Sequence, residues 1–254
     1  MEHQYGPLSA EFYQLTKVID APYPDLDFYV PILKYRGGKT LEVGSGTGRF
    51  LIPALEANLK IEGIENNPFM LKWWKRNSKV HSKNCKVYTT NFLNSKIPAN
   101  FYENIILSFG CLQLFSNILD LKLALKECFR LLKNNGKVFI DLDITRIDLG
   151  KSKVWSFGTK VECLDGSFLN LDGSKDYDFV NQIETHHLRY ERWKKNKLVE
   201  TEWQDLKLRW IGLEELKLLL NEQGFKNITH CFDYDSSHLL GEGWEDVINF
   251  SAQK

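Results

Sequence analysis

Apolar runs and helix-spaced apolar faces alternate along most of this chain. Residues 40–43, 61–64, 87–90, 103–107 and 138–141 are short and mostly apolar, as buried strands are. Between the last two, residues 121–132 carry apolar side chains at helical spacing, and residues 133–137 (KNNGK) supply a glycine turn. Such alternation predicts an α/β fold, a doubly wound and mainly parallel sheet with helices on both faces. A helical segment is expected over about 8–36. Near the other end, residues 212–225 read as an amphipathic helix closed by a glycine, followed by strands near 228–233 and 245–252.

Residues 146–210 exceed what this pattern needs. Within them, 183–193 and 198–210 have strand composition and are joined by a polar turn at 194–197, which predicts an antiparallel sheet or lid. The expected organisation is therefore one domain from 1–145 and 211–254, with 1–36 as a helical cap, and a β-rich insertion at 146–210.

Composition narrows the possible roles. With 254 residues, 43% hydrophobic, the chain can form one large domain plus an insertion. Lys+Arg and Asp+Glu each number 33, so no basic footprint points to nucleic acid. Residues 1–20 lack an apolar signal core and no stretch has the length of a membrane span, which predicts a cytoplasmic protein. The five cysteines show no C-x-x-C spacing, so buried thiols are expected rather than zinc or disulfides. No His/Asp spacing suggests another metal.

The chemistry concentrates at residues 40–50 (TLEVGSGTGRF), where a strand meets Gly44, Gly46 and Gly48. Glycines at alternate positions allow tight turning and close approach of a ligand to the backbone, and the next helix would present its first amides. A second strand ends in Glu65, about twenty residues on, where a carboxylate can accept hydrogen bonds from a ribose diol. The spacing is G-x-G-x-G rather than the dinucleotide G-x-G-x-x-G, and Glu42 precedes it. A carboxylate there would repel a pyrophosphate and suit a cationic amine. His186 and His187 are candidate general bases, although adjacent strand residues face opposite ways, so at most one can enter a pocket.

Residues 42–48 match the E/D-x-G-x-G-x-G motif, and the chain resembles the class I S-adenosylmethionine-dependent methyltransferases in element order as well. That resemblance implies a seven-stranded sheet whose last strand is antiparallel and inserted beside the fifth, with a roof over the acceptor pocket at 146–210. It implies S-adenosylmethionine as cofactor, S-adenosylhomocysteine as product, and no metal. The cofactor site would comprise Glu42, Gly44, Ser45, Gly46, Gly48, Arg49, Glu65, Asn66, Asn91, Phe92, Ser108, Phe109 and Gln113. Asn91 and Phe92 hold the adenine positions and Arg49 a carboxylate position. Tyr13 would sit near the sulfonium, where cation–π attraction helps. Methyl transfer to an N or O nucleophile of a small molecule needs alignment more than acid–base chemistry; His186, His187 and Asp141 are the candidate bases. A membrane or nucleic-acid partner is not expected, and the protein would be a monomer or a homodimer formed through the insertion. An NAD(P)-binding oxidoreductase and a non-catalytic protein of this fold are the alternatives.

Overall fold

In the computed structural model the alternating pattern closes into one seven-stranded sheet, with a separate four-stranded sheet beside it. The structure describes residues 5–147, 153–156, 158–241 and 243–254; residues 1–4 of the expected cap and 148–152 and 157 of the expected insertion lie outside them. Two helices come first, α1 (Pro7–Thr16) and α2 (Pro24–Arg36). The alternating part follows: β1 (Lys39–Val43), α3 (Leu51–Glu56), β2 (Lys60–Ile64), α4 (Pro68–Val80), β3 (Val87–Tyr88), β4 (Tyr102–Leu107), α5 (Ile118–Leu131) and β5 (Leu132–Asp143). The second sheet is β6 (Lys160–Glu162), β7 (Phe168–Asp178), β8 (Ile183–Lys194) and β9 (Lys197–Arg209), after which α6 (Leu213–Glu222), β10 (Lys226–Phe232) and β11 (Val247–Gln253) complete the first.

Strand order in the large sheet is β10-β11-β5-β4-β1-β2-β3. β1 to β5 run parallel, and β11 lies antiparallel between β5 and β10. Side-chain alternation gives this sheet two buried faces. Ile105, Leu107, Val138, Ile140 and Leu142 pack with α5 and α6, whereas Ile106 and Phe139 pack with Tyr29, Leu33, Phe50, Leu51 and Trp74. The chain leaves β1 toward β2 on one side, while β4 lies on its other side, so a crevice opens beyond their carboxyl ends.

Two local details differ from the sequence reading. The third strand is two residues long, not four. The turn at residues 133–137 falls within β5 and places Asn135, not Gly136, in the left-handed region, at φ 65°. Gly136 is needed for space, because a Cβ there would lie 2.9 Å from the Lys133 carbonyl oxygen and 3.1 Å from that of Glu103.

The small sheet is antiparallel throughout, and the β8–β9 hairpin turns through Lys195 and Asn196, both at positive φ as tight hairpins demand. It is fastened to α1 by Leu8, Phe12, Leu169 and Tyr190. A polar clamp adds to this packing: the backbone N–H groups of Leu8 and Ser9 donate to Glu202 of β9 at 2.7 and 3.0 Å. A carboxylate at the positive end of a helix satisfies donors that have no partner within it.

Candidate active site

The crevice beyond β1 and β4 holds a cavity of about 260 Å³. Its floor is the glycine loop, with Glu42, Gly44, Ser45, Gly46 and Arg49; one wall is Ile64, Glu65, Asn66, Asn67, Met70, Thr90 and Phe92. Ser108, Phe109, Gly110, Cys111, Leu114 and Asp143 form the opposite side, with Tyr5 and Tyr13 from the cap and Leu206 and Leu208 from β9. Ten of the thirteen residues expected at the cofactor site line this one space, together with Tyr13.

Backbone geometry explains the loop. Gly44 and Ser45 donate N–H groups to the Ile64 carbonyl at 2.9 and 3.2 Å, which ties the loop to β2. Gly44, Gly46 and Gly48 all have positive φ, the region glycine reaches without strain. Their crowding differs: a Cβ on Gly44 would lie 2.7 Å from the Cys111 sulfur and one on Gly48 2.7 Å from Trp74, whereas at Gly46 the nearest atom is 3.8 Å away. Gly48 therefore serves packing beneath the loop, and it does not line the cavity. Arg49 follows the last loop glycine directly and precedes α3, which begins only at Leu51.

Glu65 closes the loop from the other side. Its carboxylate accepts N–H from Gly46 at 2.9 Å, Asn66 at 2.8 Å and Asn67 at 2.7 Å. Arg49 is equally committed, forming two hydrogen bonds with Asp25 at 3.0 and 2.6 Å between the Tyr23 and Phe109 rings. Burial pushes the pKa of the Tyr13 phenol up to about 12, with Arg49 opposing the shift.

Glu42 is different. It is 4% exposed, and its Oε2 has no hydrogen-bond partner. Desolvation pushes its carboxyl up to about 8, with Arg49 opposing the shift. The loop thus contains a buried carboxylate oxygen ready for a donor.

Several sequence candidates are engaged elsewhere. Asn91 does not line the cavity; its side-chain oxygen accepts the Leu93 N–H at 3.0 Å and caps a short turn, leaving Thr90 and Phe92 at the wall. Gln113 lies just outside the lining and joins the two sheets, accepting from Asp143 N at 2.7 Å and donating to the carbonyls of Asp143 and Arg209 at 3.1 and 3.2 Å. Asp141 is fully buried and accepts from the Tyr29 hydroxyl, Phe109 N, the Asn249 amide and the Tyr234 hydroxyl. Four donors thus hold its oxygens, and it does not line the cavity. His186 bonds Glu184 at 2.8 Å and His187 bonds Asp205 at 2.7 Å; neither lines the cavity. His186 pairs directly with Leu206, so it shares the roof face that looks inward, while His187 occupies the outer face. The Cys111 thiol donates to the Val43 carbonyl, and burial pushes its pKa up, so it is not a reactive thiolate.

Sequence reasoning missed Tyr5, Ile64, Asn67, Met70, Thr90, Leu114, Asp143, Leu206 and Leu208. The last two had a signal, since a roof strand must turn apolar residues inward with period two. Asp143 shares its strand face with Asp141, which the sequence did single out. Among the described residues no group of three or more His, Cys, Asp or Glu converges as a metal site, and no helix is long and apolar enough to cross a membrane.

Known proteins share this fold. The sequence model of a family described as a methyltransferase domain matches residues 40–136. An uncharacterized methyltransferase of Bacillus subtilis (strain 168), YdaC, is 29% identical over 128 residues, which is 50% of this chain and 67% of that protein. Among solved structures, the CcbJ methyltransferase of Streptomyces caelestis superposes with a TM-score of 0.76 at 17% identity, over 99% of this chain and 98% of its own. CalS10 of Micromonospora echinaspora, an amino pentose methyltransferase with S-adenosylmethionine bound, gives 0.70 at 13% identity, over 100% and 99%. Likeness at these identities is likeness of fold, and it extends over the roof as well as the large sheet.

Proposed function

We propose that this chain, whose residues 40–136 match the model of a methyltransferase-domain family and whose fold is that of solved methyltransferases, moves a methyl group from S-adenosylmethionine to a nitrogen or oxygen of a small-molecule acceptor. One observation carries the cofactor: the unpartnered Oε2 of Glu42, buried at the floor of the cavity. A cationic α-amine supplies the donor that this oxygen lacks, and burial strengthens the pairing. A pyrophosphate at the same place would meet a carboxylate.

The residues present fit such a cofactor. Glu42 would hold its ammonium, remaining N–H groups of Arg49 its carboxylate, Glu65 the ribose hydroxyls, and Ile64, Met70 and Phe92 the adenine ring. When bound, S-adenosylmethionine supplies an electrophilic methyl group on a sulfonium sulfur. The chain's own contribution is placement: the Ser108–Gly110 segment sets the far wall, Tyr5 and Tyr13 exclude water at the mouth, and the roof confines the acceptor. The similar amino pentose methyltransferase with this cofactor bound supports both the cofactor and a small acceptor.

Calorimetry with S-adenosylhomocysteine tests the reading. Wild type is expected to bind and Gly46→Val to lose binding, because a β-branched residue cannot hold the φ of 53° that aims the Gly46 N–H at Glu65. Binding of NAD in place of S-adenosylhomocysteine would overturn it.

A further inference from the structure

Asp143 stands at the carboxyl end of β5 and lines the cavity beside Gly110. Its Oδ2 occupies ground that only a glycine leaves clear, since a Cβ on Gly110 would lie 2.6 Å away. Gln113 fixes its backbone at both the N–H and the carbonyl. Among the described residues, however, no donor reaches its carboxylate, which accepts no hydrogen bond and forms no ion pair. The charge of Lys17 acts on it, but that ammonium lies over the Phe109 ring, 5.0 Å from the centroid, and forms no ion pair with Asp143.

Of the other carboxyl, guanidinium and imidazole groups around this space, all but Glu42 are engaged. Arg49 is held by Asp25, Asp141 by four donors and His186 by Glu184. Glu65 serves backbone amides, and Glu42 lies at the glycine loop, on a different strand. Around Asp143 the walls are apolar: Phe109, Leu114, Leu206 and Leu208. Asp143 is itself exposed, so water solvates its carboxylate until an acceptor fills the cavity; an acceptor that displaces this water among such walls is favoured when it is a cation that brings its own N–H donors. A neutral hydroxyl compensates it less, and an anion is repelled.

We propose that the acceptor is a protonated amine whose ammonium is held by the Asp143 carboxylate. This rests on the methyltransferase reading above and adds the class of acceptor. An ammonium nitrogen has no free electron pair. Asp143 takes one of its protons, giving a carboxylic acid and a neutral amine; the amine pair then forms the new C–N bond while the electrons of the breaking C–S bond stay on sulfur. The proton on Asp143 passes to water, and the product leaves as a methylated ammonium.

Binding to the S-adenosylhomocysteine complex tests this without turnover, using matched pairs: benzylamine against benzyl alcohol, and cyclohexylamine against cyclohexanol. The amines are expected to bind at least about tenfold more tightly, and Asp143→Asn and Asp143→Ser to abolish that preference while S-adenosylhomocysteine affinity stays within about twofold. Equal affinity for amine and alcohol in the wild type, or a preference that survives both substitutions, overturns the assignment. Failure of the wild type to bind S-adenosylhomocysteine overturns instead the reading on which it rests.

Discussion

Asp25 of α2 and Arg49 of the glycine loop meet in a two-point ion pair at 3.0 and 2.6 Å, with both side chains no more than 5% exposed. The pair ties the cap helices to the floor of the cavity, and the Tyr23 and Phe109 rings cover the guanidinium. Removing one member leaves the other charge buried and alone. Asp25→Ala should therefore lower the unfolding free energy by about 3–5 kcal/mol, measured by urea denaturation, with a smaller loss when Arg49→Met is combined with it. A loss in the single variant no larger than that of an exposed pair would show that water reaches the site.

Glu42 gives the ligand-free protein a pH dependence. Its carboxyl is raised from 4.5 to about 8, so the folded state prefers it protonated. The resulting contribution to stability is complete below about pH 4.5 and is lost as pH rises through about 8. Melting temperatures across that window should fall more steeply in wild type than in Glu42→Gln. A cationic ligand at Glu42 should also expel its proton, so calorimetry near pH 7 in buffers of different ionisation enthalpy should detect proton release that Glu42→Gln lacks. Identical profiles for the two proteins would contradict the burial argument.

Glu65 holds three backbone amides from two loops, and the cavity is shaped by both. Glu65→Ala should weaken S-adenosylhomocysteine binding by at least about tenfold, through lost charge-assisted hydrogen bonds and a loosened Gly46. An unchanged dissociation constant would remove Glu65 from the site.

Asp141 separates a structural role from a catalytic one. Asp141→Asn turns an amide N–H toward donors that need an acceptor, which should cost about 1–3 kcal/mol in denaturant unfolding. A variant of unchanged stability that has lost methyl transfer would restore it as a base.

The glycine loop, the strand order and the roof hairpin were legible because each is written locally: in G-x-G-x-G spacing, in apolar runs and in period-two strands around a polar turn. What escaped depends on contacts between distant segments. Gln113 reads as a site residue from its place after β4, yet its amide is taken by Asp143 and Arg209, the latter 96 positions away. Asp141 and Asp143 are indistinguishable in a strand pattern; Tyr29, Tyr234 and Asn249 converge on the first and leave the second facing the cavity. Asn91 matched an adenine position by count, but a side chain of that length also caps the turn that follows it.

The clamp of Glu202 on the first turn of α1 joins residues 194 positions apart. During synthesis the glycine loop, Glu65 and the Ser108–Gly110 wall emerge long before the residue that fastens the cap across them. A nascent chain halted ahead of β9 would have the floor of the cavity without its closure, so competence to enclose a ligand arrives late in translation and nearly all at once.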